Sequence, residues 1–79
     1  MPRALVFINS RSDVSELVRD LSRVDGVSEA HSSRGVYDAI AMVEAESFSQ
    51  VKEIVFNRIR GLGSVKSTLT LTLLEAPAT

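Results

Sequence analysis

The spacing of apolar residues, which changes repeatedly along the chain, is the feature that most limits the fold. Strand-like runs occupy residues 4–9, 27–33, 37–44 and 65–74, and runs with helical spacing occupy residues 13–24 and 47–62. Asp13 with Glu16, and Ser47 with Gln50, have the spacing of capping boxes at the helix starts. The predicted order is strand, helix, strand, strand, helix, strand.

The two halves of this pattern resemble each other, which favours one α+β architecture. The apolar types of Leu17, Leu21, Val24 and Val27 recur in Val55, Ile59, Leu62 and Val65. This order is that of the ferredoxin-like βαββαβ fold, in which right-handed crossovers place both helices on one face of a sheet. We therefore predict a four-stranded antiparallel sheet with the first and third strands in its centre.

The two central strands carry apolar residues on both faces, although helices cover only one. Either the set Ala4, Val6 and Ile8 or the set Ile40 and Met42 is then left without a helix. At about 25 cal/mol/Å², covering such a face is worth more than a small domain can forgo. We predict a dimer formed through the sheets, and further a ring of dimers. The alternative is that long Lys or Arg side chains and the tail shield the face.

Strict alternation assigns the side chains of the two later apolar strands to faces. In residues 37–44, Ile40 and Met42 oppose a set formed by Tyr37, Ala39, Ala41 and Val43. In residues 65–74, one face holds Val65, Ser67, Leu69, Leu71 and Leu73, and the other holds Lys66, Thr68, Thr70 and Thr72. The last strand therefore presents hydroxyls on one face and leucines on the other.

Length and charge exclude several classes of protein. The 79 residues suffice for one domain, residues 1–79. With a net charge of −1, one Tyr, three Phe and no Trp, the chain has neither the basic surface nor the aromatics of an RNA-recognition module, and we expect no direct nucleic-acid partner. No apolar run is long enough to cross a bilayer, so we expect no membrane partner and a cytoplasmic location.

No catalytic constellation is evident. The chain has no Cys, and its one histidine, His31, lacks the neighbours that a metal site needs. A nucleophilic serine requires a base within reach, and none is indicated. We therefore expect no catalytic residue, no metal site and no cofactor, and His31 is best interpreted as a solvated residue of an edge strand.

Several short motifs together resemble the effector-binding domain of the Lrp/AsnC family of transcription regulators, also called the RAM domain. The resemblance covers nearly the whole chain and is carried by Val24-x-Gly26-Val27-x-Glu29-Ala30, Gly35-x-Tyr37-Asp38, Val43-Glu44-Ala45, Ile59-Arg60 and Gly63-Ser64-Val65-Lys66-Ser67-Thr68-x-Thr70-Leu71. The chain begins with the first strand of that domain, as the stand-alone form without a helix-turn-helix does.

The resemblance implies how such a domain works. It implies dimers through sheet packing, rings of dimers, and an amino acid or similar small effector bound where dimers meet. Full-length Lrp/AsnC-type regulators are implied as further partners. The implied ligand-binding residues are Arg34, Gly35, Val36, Tyr37, Asp38, Thr68 and Thr70. The family often has Thr where this chain has Arg34.

The chemistry of these residues fits an amino-acid ligand. Gly35 lets backbone amides approach a carboxylate, to which Arg34 adds an ion pair, while Asp38 is suited to an α-ammonium group. Each has a structural alternative, since glycine serves turns and threonine is common in strands. The functional alternative is a small enzyme of the dimeric α+β barrel type, which needs a polar cavity between sheet and helices; only His31 or Tyr37 supplies an ionisable group for it.

Overall fold

The structure, a computed structural model, describes residues 2–73. Its elements follow the predicted order: β1 (Arg3–Ser10), α1 (Val14–Ser22), β2 (Val27–Ser32), β3 (Ala39–Glu44), α2 (Phe48–Glu53) with a π-helical continuation (Ile54–Ile59), and β4 (Val65–Leu73). Residue 74, the predicted end of the last strand, lies outside the described residues.

The four strands form one antiparallel sheet in the order β2-β3-β1-β4. The first and third strands are therefore central, as predicted. The element order and this strand order together confirm the ferredoxin-like βαββαβ fold.

The helices cover one face of the two central strands completely. The covered face consists of alternate residues of the two central strands, all with 0% exposure: Ala4, Val6, Ile8, Ala39, Ala41 and Val43. Leu17 and Leu21 of α1 and Ile59 of the π-helical segment join this core. Of the two sets between which the sequence left the choice open, Ile40 and Met42 therefore form the open one.

Side chains cap both helices, although only one cap matches the predicted pattern closely. Asp13 Oδ1 accepts hydrogen bonds from the backbone N–H (2.9 Å) and hydroxyl (2.7 Å) of Ser15, where Glu16 was expected as the partner. These bonds, led by that of the Ser15 hydroxyl, lower the pKa of Asp13 below its usual 3.8. Ser47 Oγ accepts from the Gln50 N–H at 3.2 Å, and Gln50 Oε1 accepts from the Glu46 N–H at 3.0 Å.

The second helix widens in its second half, which the sequence did not predict. Arg60 N–H donates to the carbonyl of Val55 five residues earlier, at 3.0 Å, as in a π-helix. Ile54, Val55 and Ile59 stay buried, whereas the Phe56 side chain is 57% exposed. Phe56 therefore lies off the buried stripe of this helix.

Two details of the predicted strands were wrong. The third strand begins at Ala39, and Tyr37 and Asp38 belong to the preceding loop. Val65 does not share a face with Leu69, because the register of β1 with β4 shifts between Asn9 and Ser10 and turns Val65 into the core, where it is 6% exposed.

Candidate ligand-binding site

The loop between β2 and β3, residues 33–38, is held to the end of β1 by Asp38. Ser10 N–H donates to Asp38 Oδ2 at 2.8 Å, and Asp38 N–H donates to the Ile8 carbonyl at 3.0 Å. Ser33 N–H closes the base of the loop by donating to the Asp38 carbonyl at 2.8 Å. Asp38 is thus a structural anchor of the loop, a role that was not predicted from the sequence.

Tyr37 lies over the face of the sheet that the helices leave uncovered. Its ring centroid is 5.5 Å from that of Phe7, with the two ring planes at 48°. The sequence had placed Tyr37 on the same face as Ala39, which was wrong because the chain is not yet in strand conformation at Tyr37. A tilted aromatic pair at this distance is favourable, so the aromatic contact fixes one wall of the loop.

The tip of the loop is exposed. Val36 is 84% exposed, and Arg34 and Gly35 are exposed beside it. Gly35 has a φ of +144°, a conformation that side-chain-bearing residues rarely adopt, although an added Cβ would meet no atom within 4 Å. The loop therefore needs glycine here for its backbone conformation and not for space.

The two predicted threonines lie away from this loop. Thr68 pairs with Ile8 and Thr70 with Val6 on the covered side of β4, which is an edge strand of the sheet. Ile8 also pairs with Ala39, so β1 separates β4 from β3, and two strand spacings amount to about 10 Å. One chain therefore does not bring residues 34–38 and the threonines into one pocket.

The open face is the larger apolar surface next to the loop. The cross-strand pairs Leu5–Met42, Leu5–Leu71, Phe7–Ile40 and Phe7–Leu69 place the six side chains on the same face. Leu69 is 46% and Leu71 49% exposed, while the other four are half-buried. We call the surface formed by Leu5, Phe7, Ile40, Met42, Leu69 and Leu71 the open face.

A family model, the Lrp/AsnC ligand binding domain, matches residues 3–79. The chain belongs to the Lrp/AsnC ligand-binding domain family. Its curated relatives include the regulatory protein AsnC of Escherichia coli K12, which is 26% identical over 72 residues. That match takes in 91% of this chain but only 47% of AsnC, so the chain spans about half the length of the relative.

Solved structures agree with this membership. A protein of Thermus thermophilus, TTHA0845, superposes with a TM-score of 0.90 at 29% identity, and the match covers all of both chains. Escherichia coli AsnC gives a TM-score of 0.86 at 25% identity over 99% of this chain and 54% of that one. A feast or famine regulatory protein of Mycobacterium tuberculosis, solved with L-methionine, shares the fold with a TM-score of 0.78 at 21% identity, over 100% of this chain and 54% of that one.

Neither residue required by the enzyme alternative lies between the sheet and the helices of this Lrp/AsnC domain. The His31 side chain is 69% exposed on an edge strand, within 3.2 Å of Glu29, as expected for a solvated residue. Tyr37 packs on Phe7 of the open face. Within residues 2–73 there is also no cluster of three potential metal ligands and no helix able to span a membrane.

A groove that was not predicted from the sequence lies between α2 and β4. A cavity of about 460 Å³ lies there, lined mainly by Phe48, Val51, Val55 and Phe56 on the helical side. Phe48, Lys52 and Phe56 recur every four residues, the spacing of one helix face. That four-residue spacing of two aromatics and a lysine was the signal available in the sequence.

Proposed function

We propose that this Lrp/AsnC domain binds an amino acid or similar small effector and assembles with copies of itself through the open face. The observation that carries the proposal is the position of the loop of residues 33–38, which Asp38 anchors at the border of a large uncovered apolar surface. A loop at such a border meets a neighbouring subunit once the surface is covered.

Covering the open face accounts for the assembly. Six apolar side chains on one sheet face form a contiguous patch, and patches of this kind mark interaction sites. Two such sheets pack about 10 Å apart and bury apolar area worth roughly 25 cal/mol/Å². A full-length Lrp/AsnC regulator that carries the same surface would bind this chain through its open face.

The effector site is formed by parts of different subunits. Arg34 and the backbone amides around Gly35 bind the ligand carboxylate from one subunit, with Asp38 Oδ1 available to an α-ammonium group. Thr68 and Thr70 line the site from another subunit, since β1 separates them from the loop within one chain. The M. tuberculosis relative solved with L-methionine supports an amino acid as the ligand class.

A thermal-shift screen against the twenty amino acids tests this function. A ligand present at about 100 times its dissociation constant stabilises the folded protein by about 2.7 kcal/mol, which raises Tm by several degrees. If none of the amino acids raises Tm, amino-acid binding is contradicted.

Arg34→Gln is the sharper variant for the same site. Loss of a charge-assisted hydrogen bond should weaken ligand binding about tenfold. Arg23→Gln, at the residue after α1, serves as a matched control. Asp38→Ala is less informative because it also releases the loop from Ser10. Equal weakening by Arg34→Gln and Arg23→Gln would place the site elsewhere.

A further inference from the structure

The groove between α2 and β4 lies apart from the loop of residues 33–38, although it shares Thr68 and Thr70 with the proposed effector site. Its floor is Val51 and Val55, which are 2% and 3% exposed. Phe48 and Phe56 stand 45% and 57% exposed along its helical wall, and Thr70 and Thr72 form the opposite wall. A cavity of about 460 Å³ falls within the range of small-molecule sites, roughly 300–1,000 Å³.

A second cavity of about 350 Å³ continues the groove past Phe56 and differs from the first in charge. Val55, Phe56 and Thr70 line both cavities, so the two halves are continuous. The second half contains Arg60 and Lys66, together with Thr68. Among the described lining residues of either half there is no carboxylate.

The helical wall arranges its aromatic and cationic residues in alternation. Phe48, Lys52, Phe56 and Arg60 follow one another every four residues, so they lie along one side of the helix. The Arg60 guanidinium lies 5.4 Å from the centroid of the Phe56 ring. A guanidinium held against an aromatic ring keeps its N–H edge free to bind a carboxylate with two hydrogen bonds.

The π-helical turn contributes two of the lining residues. Val55 lies on the floor of the groove and Phe56 on its rim. Both line the groove even though successive side chains in a helix diverge by about 100°. Such turns occur frequently at functional sites, because they re-aim side chains without ending the helix. The local distortion of α2 therefore coincides with the junction of the apolar and cationic halves.

We propose that this groove binds an amphipathic monocarboxylate, with its hydrocarbon chain in the apolar half and its carboxylate at Arg60 and Lys66. Phe48, Val51, Val55 and Phe56 remove the chain from water. Arg60 and Lys66 neutralise the carboxylate, and the hydroxyl of Thr68 donates to it. The apolar half, from Phe48 to Phe56, spans about two helical turns, roughly 12 Å, which suits a medium-length chain.

A titration with decanoate, followed by amide NMR of the full chain, tests the proposal. We expect saturable binding with the largest shifts at Phe48, Val55 and Phe56. Acetate, which lacks the chain, and decyltrimethylammonium, which carries the opposite charge, should not saturate the site. Equal binding of decyltrimethylammonium, or decanoate shifts centred on Leu5 and Phe7 of the open face, would overturn it.

Two variants remove the two halves of the site separately. Arg60→Gln removes the carboxylate partner and Phe56→Ser removes the exposed aromatic, and each should weaken decanoate about tenfold. Arg58→Gln is the control, since Arg58 is on the same helical segment but lies 3.8 Å from Asp25, outside the groove.

If Arg58→Gln weakens decanoate binding as much as Arg60→Gln does, the effect is one of net charge and the proposed site is rejected. A change of oligomeric mass in Phe56→Ser with decanoate binding unaltered would also reject it, because the groove would then be an assembly surface. Amino-acid binding and the mass of the wild-type assembly are read independently, so failure of this site leaves the proposed function testable.

Discussion

The two faces of the sheet are built from the same strands, yet the side chains of one are buried and those of the other are partly exposed. On β1, Ala4, Val6 and Ile8 are 0% exposed beneath the helices, while Leu5 and Phe7 between them remain partly exposed. Successive side chains of a strand point to opposite faces, so a step of one residue separates core from surface. The difference teaches that apolar alternation does not by itself tell a core from an interface.

The covered face owes its closure to the crossovers. Both helices lie on one side of the sheet, as right-handed crossovers require, and Leu17 and Leu21 of α1 and Ile59 after α2 pack into the same cluster. No described element is left for the other side. The open face is therefore a consequence of topology and not of weaker apolar character.

The largest expected effect is on the covered face. Ile8→Ala leaves a cavity in a fully buried site, and we expect a loss of about 2–5 kcal/mol in the free energy of unfolding. Chemical denaturation measures it. Ile40→Ala on the open face is the control and should cost less in the isolated subunit, since Ile40 is only half-buried. Equal losses at protein concentrations where the subunit is monomeric would mean that the two faces are equally buried within one subunit.

A charge on the open face should separate subunits while the fold persists. Leu71 is 49% exposed, so Leu71→Asp should cost about 2 kcal/mol per dimer, counted over both copies, which raises the dissociation constant roughly thirtyfold. Sedimentation equilibrium measures this, with Ser49→Asp in the exposed first turn of α2 as the control of equal charge. An unchanged mass in Leu71→Asp would show that the open face is not the interface.

The smallest effect concerns the cap of α1, one of the helices that close the covered face. The hydrogen bonds from Ser15 lower the pKa of Asp13 below 3.8. The ionised carboxylate therefore stabilises the fold above pH 3.8, and this contribution disappears as the pH falls through the lowered pKa of the folded state. Asp13→Ala should therefore be less stable at pH 7, by a difference that shrinks in acid.

Urea denaturation at several pH values from 7 to 2 tests the cap. Asp13→Asn keeps an oxygen acceptor without the titrating charge, so its stability relative to Asp13→Ala should not change over this range. If the wild-type protein keeps its full advantage over Asp13→Ala at the lowest pH, the charge at this cap contributes nothing.

Local patterns were enough for the element order, the strand order and the Ser47 cap. They were not enough for the start of β3, because the long-range bond from Ser10 to Asp38 keeps Tyr37 and Asp38 in the loop. The face of Val65 depends on a register shift against β1, and the π-helical turn at Ile54–Ile59 follows from no spacing that we recognised. Each miss involves a partner far away in sequence or a backbone irregularity.

The candidate site divides in the same way. The residues Gly35 and Asp38 stand out in the sequence, but only the folded chain shows that Asp38 is bonded to Ser10 and that β1 lies between the loop and Thr68. The groove beside Phe56 likewise exists only because α2 lies along the edge strand β4.

Periodicity is a property of neighbouring residues, so the sequence by itself determined where strands and helices form and how they follow one another. Which apolar set is buried, which hydroxyls line a groove and which carboxylate serves as an anchor were decided by tertiary structure. Burial and hydrogen bonding depend on residues that are distant in sequence and that folding brings close together in space.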